Sequence, residues 1–115
     1  MSRAIAVCFH CYTPDFGQEY YQPIYDHFIK QMTDFIEEFD KLYIIDSNWN
    51  ITNPPYFTEV IKVNPSLRYY DAFKEILPKI KEDQILLVDN DMMIYRHGII
   101  NETFKRLTDY DVVSI

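Results

Sequence analysis

The sequence predicts an α/β domain built on a mostly parallel sheet, and three observations carry that reading. Short apolar runs alternate with longer segments of helical period. Several of the runs are apolar on consecutive residues, as strands covered on both faces are, and not on alternate ones. The chain has 115 residues, 48% of them hydrophobic and 17% aromatic, which suffices for one packed core and is too short for two.

Ile5 to Phe9 reads as the first strand. The stretch Cys11-Tyr12-Thr13-Pro14-Asp15-Phe16-Gly17 breaks it with Pro and Gly. A long helix is expected to open near Pro23, whose ring suits a first turn. Ile24, Phe28, Met32, Phe35, Ile36 and Phe39 then form one buried stripe. Lys41 to Ile45 is a second strand ending at Asp46-Ser47-Asn48, and residues 49–57, with a Pro pair and no helical period, are a loop. Glu59 to Val63 is a short third strand stopped by Asn64-Pro65. Ser66 is placed to cap a helix from Leu67 to about Lys81, with Tyr70, Phe73, Ile76, Leu77 and Ile80 inward and a last turn disturbed by Pro78. Gln84 to Val88 is the clearest strand and runs directly into Asp89-Asn90-Asp91. A helix over about Ile99 to Leu107 follows, and Val112 to Ile115 begins a fifth strand, so the chain is expected to be the N-terminal part of a longer domain.

Parallel strands joined through helices imply right-handed crossovers and helices on both faces. The common order 3-2-1-4, extended by the partial fifth strand, gives a Rossmann-like sheet whose direction of winding reverses between strands one and four. Ligands of open α/β sheets bind outside the carboxyl ends of the strands at such a reversal. That places the end of the first strand and the Asp89-Asn90-Asp91 turn on one crevice.

Charge narrows the function. A formal net charge of -7 disfavours binding to a phosphate backbone but suits a protein that recruits a divalent cation before a phosphate-bearing ligand. No apolar run approaches the roughly 18 residues of a membrane span. The start of the chain lacks a signal-peptide pattern, and two Cys fit a reducing compartment, so a cytoplasmic protein is expected.

Two carboxylates two residues apart at the end of a buried strand repel each other as anions. A hard divalent cation relieves that repulsion while keeping sites for substrate phosphate oxygens. The competing reading is an Asx-type turn serving only its own backbone. Other constellations carry less. Cys8 and Cys11 have redox or zinc spacing, yet Cys8 lies inside a strand, not at a helix start, and no second pair exists, so core packing is preferred. His10 closes the first strand at the crevice, whereas His27 and His97 read as surface residues. Trp49 and Tyr56 either cover a base or pin their loop. Glu37-Glu38 and Lys79 to Asp83 read as solvated charge clusters.

The run Ile85-Leu86-Leu87-Val88-Asp89-Asn90-Asp91 resembles the metal-binding Asp-x-Asp strand end of GT-A fold glycosyltransferases, especially those similar to family 2. The resemblance implies that residues 1–115 form a single nucleotide-binding domain, the donor half of a metal-dependent transferase, taking a UDP- or GDP-sugar. His10, Tyr12 and Thr13 would lie against the nucleobase, Asp46 would reach the nucleoside, and Arg68 would open the helix before the metal strand. Asp91 would ligate Mn or Mg, Asp89 would share the metal or hold the ribose, and Asn90 sits between them in the same donor site. The chain departs from the family pattern in His10-Cys11-Tyr12-Thr13, where a Pro-Thr-Tyr-Asn-like end is usual. It departs again in Asp46-Ser47-Asn48-Trp49, which keeps one acid of the usual two. It also lacks the second half that brings the acceptor site and general base. Two other functions fit the same turn. One is a haloacid dehalogenase-like phosphatase with Asp89 as nucleophile, a fold that normally begins with this strand. The other is a non-catalytic α/β interaction module.

Overall fold

The strand β1 (Arg3–His10) is central: Ala4 to Phe9 are wholly buried. In the computed structural model, which describes residues 1–10, 18–94 and 96–107, it pairs in parallel with β2 (Lys41–Ser47) on one side and β4 (Gln84–Val88) on the other. β3 (Thr58–Lys62) adds parallel to β2, so the order is β3-β2-β1-β4, as the sequence predicts. Cys11, Tyr12, Thr13 and the expected fifth strand lie outside the described residues.

Period-2 geometry sorts β1 onto two faces. Ile5, Val7 and Phe9 join Leu42, Ile44, Leu86 and Val88 in a large core under α1 (Gln18–Asp34) and α3 (Ile99–Arg106), with Phe28, Met32, Ile100 and Phe104 fully buried there. Ala4, Ala6 and Cys8 face the other way with Tyr43 and Ile45, against Ala72, Phe73 and Ile76 of α2 (Tyr69–Ile76). Small residues on this side of β1 let α2 sit close to the sheet. Helices therefore cover both faces. Among the described residues no helix is long and apolar enough to cross a membrane.

Four expectations are corrected. The first helix begins at Gln18, so Pro23 lies inside it instead of opening it. It also ends earlier, at Asp34; Phe35 leaves helical geometry (φ -108°, ψ 19°) and a 3₁₀ turn spans Ile36–Glu38. The apolar stripe nevertheless runs on through Phe35 and Phe39, because both elements lie on the same core. Ser66 is not the helix cap. Its N–H and hydroxyl both donate to Asn64 Oδ1 (3.0 and 2.9 Å), an Asx turn around Pro65, and Arg68 stands at the N-cap of α2. The inward stripe of α2 is then Tyr69, Ala72, Phe73 and Ile76, while Tyr70 and Leu77, both expected inward, are exposed. The last turn around Pro78 tightens into a 3₁₀ turn at Leu77–Lys79, as expected.

Candidate functional site

A cavity of about 310 Å³ opens at the carboxyl ends of β1 and β4, lined by Cys8, His10, Tyr69, Asp89, Asn90 and Asp91. It lies where the winding of the sheet reverses, so topology and sequence point to one place. Of the sequence-predicted residues, His10, Asp89, Asn90 and Asp91 meet here.

Local structure fixes the acidic turn from several sides. The Asn90 amide donates to the Cys8 carbonyl (3.1 Å), tying the turn to the end of β1. The Met92 N–H closes the turn onto the Asp89 carbonyl (3.3 Å). Beyond it, Gln31 on α1 uses both ends of its amide: Nε2 donates to the Met92 carbonyl (2.8 Å) and Oε1 accepts from the Ile94 N–H (2.6 Å). Gln31 is mostly buried, so little water competes for its amide. The Asp89 side chain is exposed, and its Oδ1 accepts from the Tyr69 hydroxyl (2.9 Å). His10 Nε2 lies 3.3 Å from the Leu67 carbonyl, which requires a proton on that nitrogen and anchors the approach to α2.

Asp46, which the resemblance assigns to the nucleoside, turns its carboxylate onto the loop after β2. Its side chain is 2% exposed, and it accepts three backbone N–H bonds, from Trp49 (2.7 Å) and Asn50 (3.2 Å) on Oδ1 and from Ile51 (2.8 Å) on Oδ2. The carboxylate thus folds the loop after β2 around itself. Asn48, Asn50 and Asn53 in that loop take left-handed φ values of 69°, 56° and 51°, which asparagine tolerates better than most residues. Trp49 is buried edge-on against Phe9 (centroids 4.8 Å), so it pins the loop. Tyr56 is exposed beside Phe57, at the amino end of β3 and away from the cavity. Arg68 is exposed and does not line the cavity.

The remaining singled-out residues also find places. Cys8 is buried, and burial, with a smaller contribution from the Asp46 charge, pushes its thiol up to about 11. It is packed in the core, as expected, and also reaches the wall of the cavity. His97 lies tilted against Phe35 (centroids 4.7 Å, 51°) in a separate cavity of about 410 Å³ that includes Asp34, Glu37 and Glu38. Glu38 is not merely solvated, since it accepts the Asn101 N–H (3.0 Å) in the first turn of α3. In the other charge cluster, Glu82 accepts from the Tyr43 hydroxyl (2.5 Å) and Asp83 from Ser2.

Sequence reasoning missed Tyr69 and Gln31. Tyr69 had a signal, because it heads the true α2 stripe, but that stripe was displaced by the misplaced cap. Gln31 had none, since a glutamine inside an apolar helix stripe says nothing of what it will clamp.

Asp89 and Asp91 are the residues at the cavity that could hold a hard cation. Asp89 and Asp91 offer carboxylate oxygens, and among the described residues no group of three or more His, Cys, Asp or Glu is gathered for a metal. One or two protein carboxylates completed by water and phosphate oxygens is the way Mg²⁺ is usually held, whereas structural zinc takes four protein ligands. Comparison of the chain with protein-family models, with curated proteins and with solved structures found no match.

Proposed function

We propose that this chain carries the donor site of a metal-dependent glycosyltransferase, binding a nucleoside diphosphate sugar through its diphosphate. The observation that carries the reading is the pinned Asp89-Asn90-Asp91 turn, set at the carboxyl end of β4 beside the end of β1 and opening on a 310 Å³ cavity. That volume is at the small end of ligand pockets and suits a diphosphate with its cation better than a whole nucleotide sugar. Asp91 and Asp89 would hold Mn²⁺ or Mg²⁺. When bound, such an ion neutralises charge developing on a diphosphate leaving group. The chain's own residues supply orientation: Asn90 and Gln31 keep the turn in place, and Tyr69 holds Asp89. Asp46 serves indirectly, by shaping the loop after β2. An acid-rich wall repels a bare diphosphate, so binding is expected to require the cation.

Calorimetric titration of UDP and GDP, with and without Mn²⁺, tests this on wild type and Asp91→Ala. Metal-dependent binding of one nucleotide, lost in the variant, is the expected result. A well-folded protein that binds neither nucleotide under any condition contradicts the reading.

A further inference from the structure

We propose that Tyr69 is a positioning residue that holds Asp89 in place, and so makes the two carboxylates of the acidic turn unequal before any ligand arrives. The inference rests on the donor-site reading and adds the group that sets its geometry. Asp89 and Asp91 are both exposed, two residues apart, and as paired anions their unrestrained side chains would favour orientations that separate the charges. The Tyr69 hydroxyl donates to Asp89 Oδ1 at 2.9 Å, a hydrogen bond strengthened by the charge on the acceptor. A phenol is neutral, so it fixes the carboxylate without cancelling the charge that attracts a cation. A lysine or arginine in the same place would compete with the metal. No comparable bond engages the Asp91 carboxylate among the described residues, which leaves both its oxygens available.

The arm that carries this hydroxyl is rigid. Tyr69 is the first residue of α2, and its ring stands edge-on against Phe73 one turn later (centroids 4.8 Å, 77°), itself buried in the core. The segment leading into α2 is fixed by the Asx turn at Asn64 and by His10, which bonds the Leu67 carbonyl. The hydroxyl is therefore referenced to β1 and to the core, while Asp89 belongs to the end of β4. Their bond sets the spacing across the cavity, and one carboxylate is ordered before any ligand arrives.

The test is a double-mutant cycle read by Mn²⁺-dependent UDP and GDP binding, on wild type, Tyr69→Phe, Asp89→Ala and the double variant. Tyr69→Phe keeps the ring and its Phe73 contact, so an unchanged melting temperature is expected. With it, binding should weaken about threefold to tenfold, the scale of ordering one side chain. In the Asp89→Ala background the same change should have almost no effect. Unchanged binding in Tyr69→Phe, or an equal loss in both backgrounds, overturns the proposal while leaving the donor site standing. Failure of the wild type to bind either nucleotide with Mn²⁺ overturns both.

Discussion

Asp46 shows how much a single buried carboxylate can organise. Three backbone N–H groups converge on it, and no neighbouring cation shares the charge in the contacts described. Replacement by Ala leaves three donors without their acceptor, that of Trp49 in a buried place and those of Asn50 and Ile51 in part-buried ones. Asp46→Ala is therefore expected to destabilise the fold by ~2–4 kcal/mol, seen as a lower urea midpoint. Asp46→Asn, which keeps an acceptor oxygen, should cost less. If nucleotide binding falls in Asp46→Asn without a matching loss of stability, the side chain touches ligand after all. None of this was legible beforehand. An acid at a strand end looks the same in sequence whether it faces a ligand or its own loop, because backbone donors leave no residue signature. What was legible of Asp89 and Asp91 is their place, because the apolar run before them reads as a strand that ends there.

At the scale of elements, the strands were the most readable part. Consecutive apolar residues such as Ala4 to Phe9 and Leu42 to Ile45 have no other place than a sheet covered on both sides, and they pair in parallel as that requires. Helix limits were less readable. Pro23 suits a helix start but is carried inside α1, and Ser66 suits a cap but is captured by Asn64. With Tyr69 and Tyr70 adjacent, either can head an apolar stripe, and only the true start of α2 decides between them. The connection between α1 and the acidic turn is the element most open to experiment. Gln31→Leu keeps a side chain of similar bulk but removes both bonds to the segment after the turn. The part-buried Met92 carbonyl and Ile94 N–H are then left to find other partners. Amide exchange at Ile94 should accelerate by at least tenfold, and Mn²⁺-dependent nucleotide binding should weaken with it. Faster exchange with unchanged binding would show that the turn holds its shape without the clamp.

For the whole molecule, alkaline stability follows from acids whose protons burial holds: Cys8, Tyr43 and, in the same direction, Tyr25. Cys8 is pushed up from 9.0 to about 11, first by burial and then by the Asp46 charge. Burial and the hydrogen bond to Glu82 push Tyr43 up from 10.0 to about 12. Both groups hold their protons more tightly folded than unfolded. Their effect is absent below pH 9, and stability falls as pH rises through the window from 9 to 12, where the unfolded chain ionises first. The melting temperature should drop across that window. Cys8→Ala should flatten its lower part, between about 9 and 11, and Tyr43→Phe its upper part. A profile that is level up to pH 11 in the wild type would contradict the burial of Cys8. The same sheet that buries Cys8 brings the ends of β1 and β4 together, and with them the proposed cation site.

That site is tested most directly by adding Mn²⁺ to isotopically labelled protein and mapping which amide signals it broadens. The chain carries a second acidic cavity, at Asp34, Glu37 and Glu38, on a different part of the surface, which serves as an internal control. At substoichiometric Mn²⁺, broadening should centre on Asp89, Asn90 and Asp91, extend to His10 and Tyr69, and vanish in Asp91→Ala. Broadening that centres on Asp34, Glu37 and Glu38, or that spreads evenly over the acidic surface, would contradict a donor site at the end of β4.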